Sequence, residues 1–277
     1  EPTAQGKQRH PSGKLQHQPG HPQLSPHVGK SYRSRQLSLE QLVAKSSGTP
    51  ITAATQKRIL SQVLHFLDWA YHEGHAPKLE FSSVKVEAKG KIMSYAVPTD
   101  EEVQRLLQAD HPLIGSVILF CLLSGLRSGE AVGMLRDDLV WKGNLGWFAR
   151  VRPNRVRLLK TDAAEREVPL HGELSAMLPA LGPDRLFPDL TVSQVTKHFG
   201  RLRTRLAMDR PGLVFHSTRK WFITQCERTG VPEHYTASLV GHQSARSENR
   251  LTYGIYSAGI GDDQKRAIVD GVRLPCP

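Results

Sequence analysis

No run of apolar residues in this sequence approaches the roughly 18 needed to cross a bilayer, so a membrane-spanning helix is not expected. The given sequence opens on polar residues, with no secretory apolar segment among them. The first residue is Glu1 rather than Met, so the natural chain is expected to begin further upstream. Cysteine is scarce: Cys121, Cys226 and Cys276 make an odd set without close spacing. That excludes a disulfide framework and a paired-cysteine zinc site. Cys121 and Cys226 lie in apolar runs and read as small core residues, in keeping with a reducing compartment. Also missing are a GxxxxGK[ST] phosphate loop and a carboxylate cluster suited to Mg²⁺.

Acid is the next shortage. From Glu1 to Gln36 the only carboxylate is Glu1, against Lys7, Arg9, Lys14, Lys30, Arg33 and Arg35. The whole chain carries a formal charge of +11, an electrostatic footprint that suits a polyanion such as nucleic acid. Residues 1–30 are Pro-, Gln-, Ser- and His-rich with almost nothing apolar. Such a segment cannot offset its ordering entropy, so a disordered basic tail is expected there, able to lie on DNA phosphates.

Order is expected from about residue 31. In "SLEQ", Ser38 and Gln41 form a capping box. In "TAATQKRILSQVLHFLDWAYHEG", Ile59, Val63, Phe66, Leu67 and Ala70 follow helical spacing, and Gly74 fits the C-terminal cap. Residues 31–85 therefore read as a small helical unit. The basic, aperiodic stretch "VKVEAKGKIMSYAVP" places a linker over 86–98. A second unit, 99–277, opens with Thr99 and Glu102 as another capping box, and its tail begins at about 261. The apolar helix "PLIGSVILFCLLSG" comes next. Alternation around Arg150–Lys160, the "TDAAE" turn and the returning "REVPL" predict a small antiparallel sheet. From Val192 onward the pattern is helical again. The fold class is mainly α with a small antiparallel β-sheet.

Five places carry chemistry. In "SGLRSGE", Arg127 leaves a very apolar helix and Glu130 follows at i+3, where its carboxylate can fix the guanidinium plane. Such pairs are common on surfaces, but an unpartnered cation beside an apolar helix would be costly. Lys160 stands at the tip of the predicted hairpin, as solvated surface or as a mobile cation able to act as general acid. His216 and Arg219 lie three apart ahead of the apolar Trp221, Phe222 and Ile223. His242 follows Gly241 at the end of a short helix. "RLTYGIYSAG" offers Tyr253 and Tyr256. Together they supply cations and imidazoles for an anion plus a tyrosine hydroxyl. That set suits phosphoryl transfer without metal or cofactor: the cations neutralise a pentacoordinate phosphate and a tyrosine is the nucleophile.

The order Arg127 with Glu130, Lys160, His216-x-x-Arg219, Gly241-His242 and a later Tyr resembles the signature of the tyrosine recombinases, the phage integrase family, over about residues 31–270. The resemblance implies a helical core-binding domain followed by a tyrosine-recombinase-type catalytic domain, closing on double-stranded DNA. It implies that a tyrosine attacks a phosphodiester, leaving a 3′-phosphotyrosine and a free 5′-hydroxyl, with no metal and no ATP. Arg127 and Arg219 would clamp the non-bridging oxygens, Glu130 orient Arg127, and Lys160 protonate the leaving 5′ oxygen. His216 would assist proton transfer and His242 hydrogen-bond the phosphate. The gap from His242 to the tyrosine is long, so Tyr253 stands beside Tyr256 as nucleophile. "TYGIYSAG" resembles a phage-type subgroup in which the tyrosine before Ser-x-Gly reacts, which favours Tyr256. The family's tail packs on a neighbouring protomer, so a homotetramer on DNA and a monomer off it are expected, in a bacterial or phage-infected cytoplasm at the nucleoid. The rival readings are a type IB topoisomerase-like enzyme and a DNA-binding protein that has lost catalysis.

Overall fold

The computed structural model describes residues 51–79, 94–158, 165–242 and 260–276, together with Ser38, Glu40 and Gln41. The chain divides into two compact units, Glu1–Ile92 and Met93–Pro277. In the first, the Ser38–Gln41 capping box forms, with backbone N–H to side-chain bonds of 3.0 and 3.3 Å. Helix α1 (Ala53–His72) is capped by the Thr52 hydroxyl. Gly74 beyond its end takes a positive φ of 76°. Ala70 is buried, whereas Ile59, Val63 and Phe66 on the apolar stripe are exposed.

The second unit is built around α3 (Gly115–Ser124), which buries Val117, Ile118, Phe120, Cys121, Leu122 and Leu123. A helix apolar on all sides belongs at the centre of a core. It packs against α2 (Asp100–Gln108) and α7 (Ser217–Arg228). The Thr99–Glu102 capping box starts α2. The glycine in the left-handed region that ends α3, Gly125, leads into the short α4 (Ser128–Val132). A three-stranded antiparallel sheet follows, in the order β1 (Leu139–Trp141), β2 (Trp147–Val151), β3 (Arg166–Pro169). Its register pairs Ala149 with Val168 and Val151 with Arg166. The expected hairpin is present, but the strand stops at Val151, and β1 was not foreseen. Helices α5 (Gly172–Met177), α6 (Val192–Arg205), α8 (Glu233–Val240) and α9 (Asp262–Gly271) complete the unit.

One boundary shifts. Part of the expected linker, residues 94–98, belongs to the second unit: Ala96 N–H donates to Gly212 O at 2.9 Å, and Ala96 and Val97 pack on the core. Their apolar side chains outweigh the basic character of the segment before them. The tail from 261 forms α9, which packs on β3 of its own chain. It buries Val269 and Val272, and the Lys142 ammonium binds both Glu167 and Asp262. Arg266 donates to Trp147 O at 2.9 Å and to Leu170 O at 2.7 Å. Among the described residues no helix is long and apolar enough to cross a membrane.

Candidate active site

The turn after α3 sets the first cationic group. Gly125 has φ 64°, and a Cβ there would fall 2.5 Å from Cδ1 of Phe222, so the turn lies against α7. Leu126 is buried and Arg127 turns extended to cap α4. Glu130 then accepts twice from Arg127: Oε2 from the backbone N–H at 2.9 Å and Oε1 from Nη1 at 2.7 Å. The carboxylate thus caps the helix and fixes the guanidinium at once.

Arg219 arrives from the first turn of α7. It is only 1% exposed, held there by the burial of Trp221 and Phe222 on the same helix. Its Nη1 donates to Gly125 O at 2.7 Å and its Nη2 to Val240 O. Its Nε is buried without a hydrogen-bond partner among the described residues. Nη1 also lies 3.9 Å from Glu130 Oε2. Burial, and then the nearby Arg127 and Arg166, pull this guanidinium below its ordinary value. Of the two arginines read from the sequence, Arg219 is the buried one, while the Arg127 side chain is 33% exposed. Arg127 sits past the glycine turn at the start of a short helix, whereas Arg219 is threaded between two turns whose carbonyls receive it.

A third guanidinium comes from β3. Arg166 Nη2 donates to Glu130 Oε2 at 2.8 Å, and its Nε to Leu239 O at 2.6 Å. Glu130 is therefore a buried anion among Arg127, Arg166 and Arg219. Burial pushes its carboxyl up, but the hydrogen bond and charge of Arg166, followed by bonds from Arg127, outweigh this and hold it at about 2. It stays ionised at neutral pH.

His216 precedes α7 and is half-buried, its ring edge-on to Tyr95 with centroids 5.4 Å apart. Lys220 Nζ holds the Tyr95 carbonyl at 2.7 Å. His242 follows Gly241, which ends α8 at φ 62°. A side chain at Gly241 would meet Arg166 Nη1 at 2.8 Å, so only glycine lets this turn approach. Burial, then Arg219 and Arg127, keep both imidazoles below their usual value. Near neutrality each can donate at one nitrogen and accept at the other. The ensemble of three guanidiniums, one spent carboxylate and two neutral imidazoles suits a phosphodiester, with Arg127 the most exposed of the guanidiniums.

The structure thus brings Arg127, Glu130, His216, Arg219 and His242 into one site. Lys160, Tyr253 and Tyr256 lie outside the described residues. Arg166 is the member sequence reading missed, because "REVPL" reads as the return strand of a hairpin. The one available signal was an arginine beginning a strand that ends in buried apolar residues. Among the described residues no three His, Cys, Asp or Glu side chains gather as a metal site.

A model of the phage integrase family matches residues 97–253. No curated protein matches the chain. Several solved structures share the fold. The integrase of mycobacterium phage Brujita is 20% identical, with 87% of this chain and 80% of that one covered and a TM-score of 0.50. Lambda integrase bound to DNA is 20% identical over 76% of this chain and 78% of that one, with a TM-score of 0.55. The integrase of transposon Tn1549, in complex with a circular intermediate DNA, is 18% identical over 85% and 80%, with a TM-score of 0.51.

Proposed function

This chain belongs to the phage integrase family and is a site-specific DNA recombinase of the tyrosine type, and from that footing we propose which of its residues carry the reaction. The observation that supports the assignment best is the single buried Glu130 carboxylate among guanidiniums from α4, β3 and α7, with His216 and His242 beside it. Arg127 and Arg219 neutralise the non-bridging oxygens of the scissile phosphate. Neutral His242 hydrogen-bonds the same phosphate, and neutral His216 assists proton transfer. Lys160 gives its proton to the leaving 5′ oxygen. Tyr256 attacks phosphorus: the Oη–P bond forms as the P–O5′ bond breaks. The energy of the ester is kept for rejoining, so ligation needs no ATP. Tyr253 is the second candidate for the nucleophile, because the family match reaches residue 253 and stops short of Tyr256.

The partner is double-stranded DNA carrying a recombination site, with residues 31–85 as a helical DNA-binding unit, residues 1–30 as a basic arm and a homotetramer as the working assembly. The protein acts in the cytoplasm, at the nucleoid. A suicide substrate with Tyr256→Phe beside Tyr253→Phe tests the assignment. Only Tyr256→Phe should lose the covalent protein–DNA adduct, and the adduct should persist in EDTA. Loss with Tyr253→Phe alone would transfer the role. Relaxation of supercoils without recombinant product would favour a topoisomerase-like reaction.

A further inference from the structure

Arg166 directs its side chain inward. Nη2 and Nη1 donate to Oε2 and Oε1 of Glu130 at 2.8 and 3.3 Å, and Nε donates to Leu239 O at 2.6 Å. The side chain is 7% exposed. These bonds tie β3 to α4 and to the last turn of α8. The same carboxylate orients Arg127, and the same turn offers Val240 O to Arg219 and Gly241 O to Arg127. In the segment that leaves β2, Arg157 Nη1 donates to the Glu130 carbonyl at 2.7 Å. Residue 130 therefore receives a guanidinium from each side of the stretch that carries Lys160 in sequence.

We propose that Arg166 is a positioning residue: it locks the Glu130 carboxylate and the 239–242 turn in one register, so that Arg127, Arg219 and His242 meet a single phosphate, and it does not itself touch DNA. This rests on the reading of those three residues as phosphate ligands. Arginine suits the place because its planar fork spans both carboxylate oxygens while Nε keeps a third bond; a lysine ammonium supplies charge without that geometry.

The test compares wild type, Arg166→Gln and Arg166→Lys. Adduct formation on a suicide DNA duplex and affinity for the same duplex are read side by side. Arg166→Gln should lower the cleavage rate about 100-fold, the scale on which small misplacements act, with Kd changed less than about threefold. Arg166→Lys should recover part of the rate. A parallel loss of affinity would make Arg166 a DNA ligand and overturn the proposal, as would an unchanged rate.

A second readout needs no DNA. The groups facing Glu130 are Arg127, Arg157, Arg166, Arg219, His216 and the Cys121 thiol. Without Arg166 the Glu130 carboxyl rises, so the variant takes up that proton at a higher pH than wild type does. The melting deficit of Arg166→Gln should then be largest near pH 7 and shrink as the pH falls. A deficit equal at every pH would overturn the link, and Arg166→Lys serves if the glutamine variant does not fold. Absence of an adduct in wild type itself would remove the reading of the site, while the melting comparison would still judge Arg166 and Glu130.

Discussion

Glu130 and the two site histidines set how the protein meets acid. His216 and His242, with His111 near α6, are held below the ordinary 6.5, by burial first and neighbouring cations second. The stability carried by their neutral forms is present above 6.5 and lost as pH falls through their folded values. Glu130, held at about 2 against 4.5, keeps its contribution until far stronger acid. Between pH 7 and 5 these histidines should therefore account for much of the fall in melting temperature. A His242→Gln variant should show a shallower fall by calorimetry; an identical slope would assign it elsewhere. Gly125→Ala should cost about 2 kcal/mol or more in a denaturant titration, because it joins a left-handed backbone to a clash with Phe222. Much of the site was legible at this scale: Arg127, Glu130, His216, Arg219 and His242 stand in order and at telling intervals. Arg166 was not, since its carboxylate partner is 36 residues away. Nor could the sequence tell which arginine is buried, because the carbonyls of Gly125 and Val240 that receive Arg219 converge only in the fold.

Local signals fared best among the elements. Thr99 and Glu102 announce α2 three residues apart, and the cap forms as read. What the local pattern could not show is that the same Glu102 also binds Arg210, with bonds of 2.6 and 2.7 Å. Strand β1 escaped notice because three residues have no period of their own; their pairing with β2 makes them a strand. Helix α9 bears directly on how the tail should be probed. Removing residues 262–277 would uncover the core at Val269 and Val272 and the polar bonds of Arg266, so such a truncation reads folding before it reads assembly. Val269→Ala should already cost about 2 kcal/mol, measured as a lower denaturant midpoint with unchanged slope. A neutral result would mean that the helix docks loosely.

Across the whole molecule, the division into two units and the excess of positive charge were legible from composition, but the boundary was not. Residues 94–98 are held by Gly212, Arg210 and Lys220, partners more than a hundred residues further on. A chain at +11 that binds DNA largely through phosphates should lose affinity steeply with salt. Log Kd against log salt for a duplex containing the target site should be linear with a slope of several units, and a flat line would count against phosphate-dominated binding. The latch formed by Lys142 with Glu167 and Asp262 lies partly in solvent, with side chains 24–31% exposed. Ions weaken such pairs by screening. Raising the ionic strength to release DNA will therefore also loosen α9 from the sheet. A slope measured on the intact protein counts both events, and a Lys142→Met protein, already deprived of the latch, offers the reference that separates them.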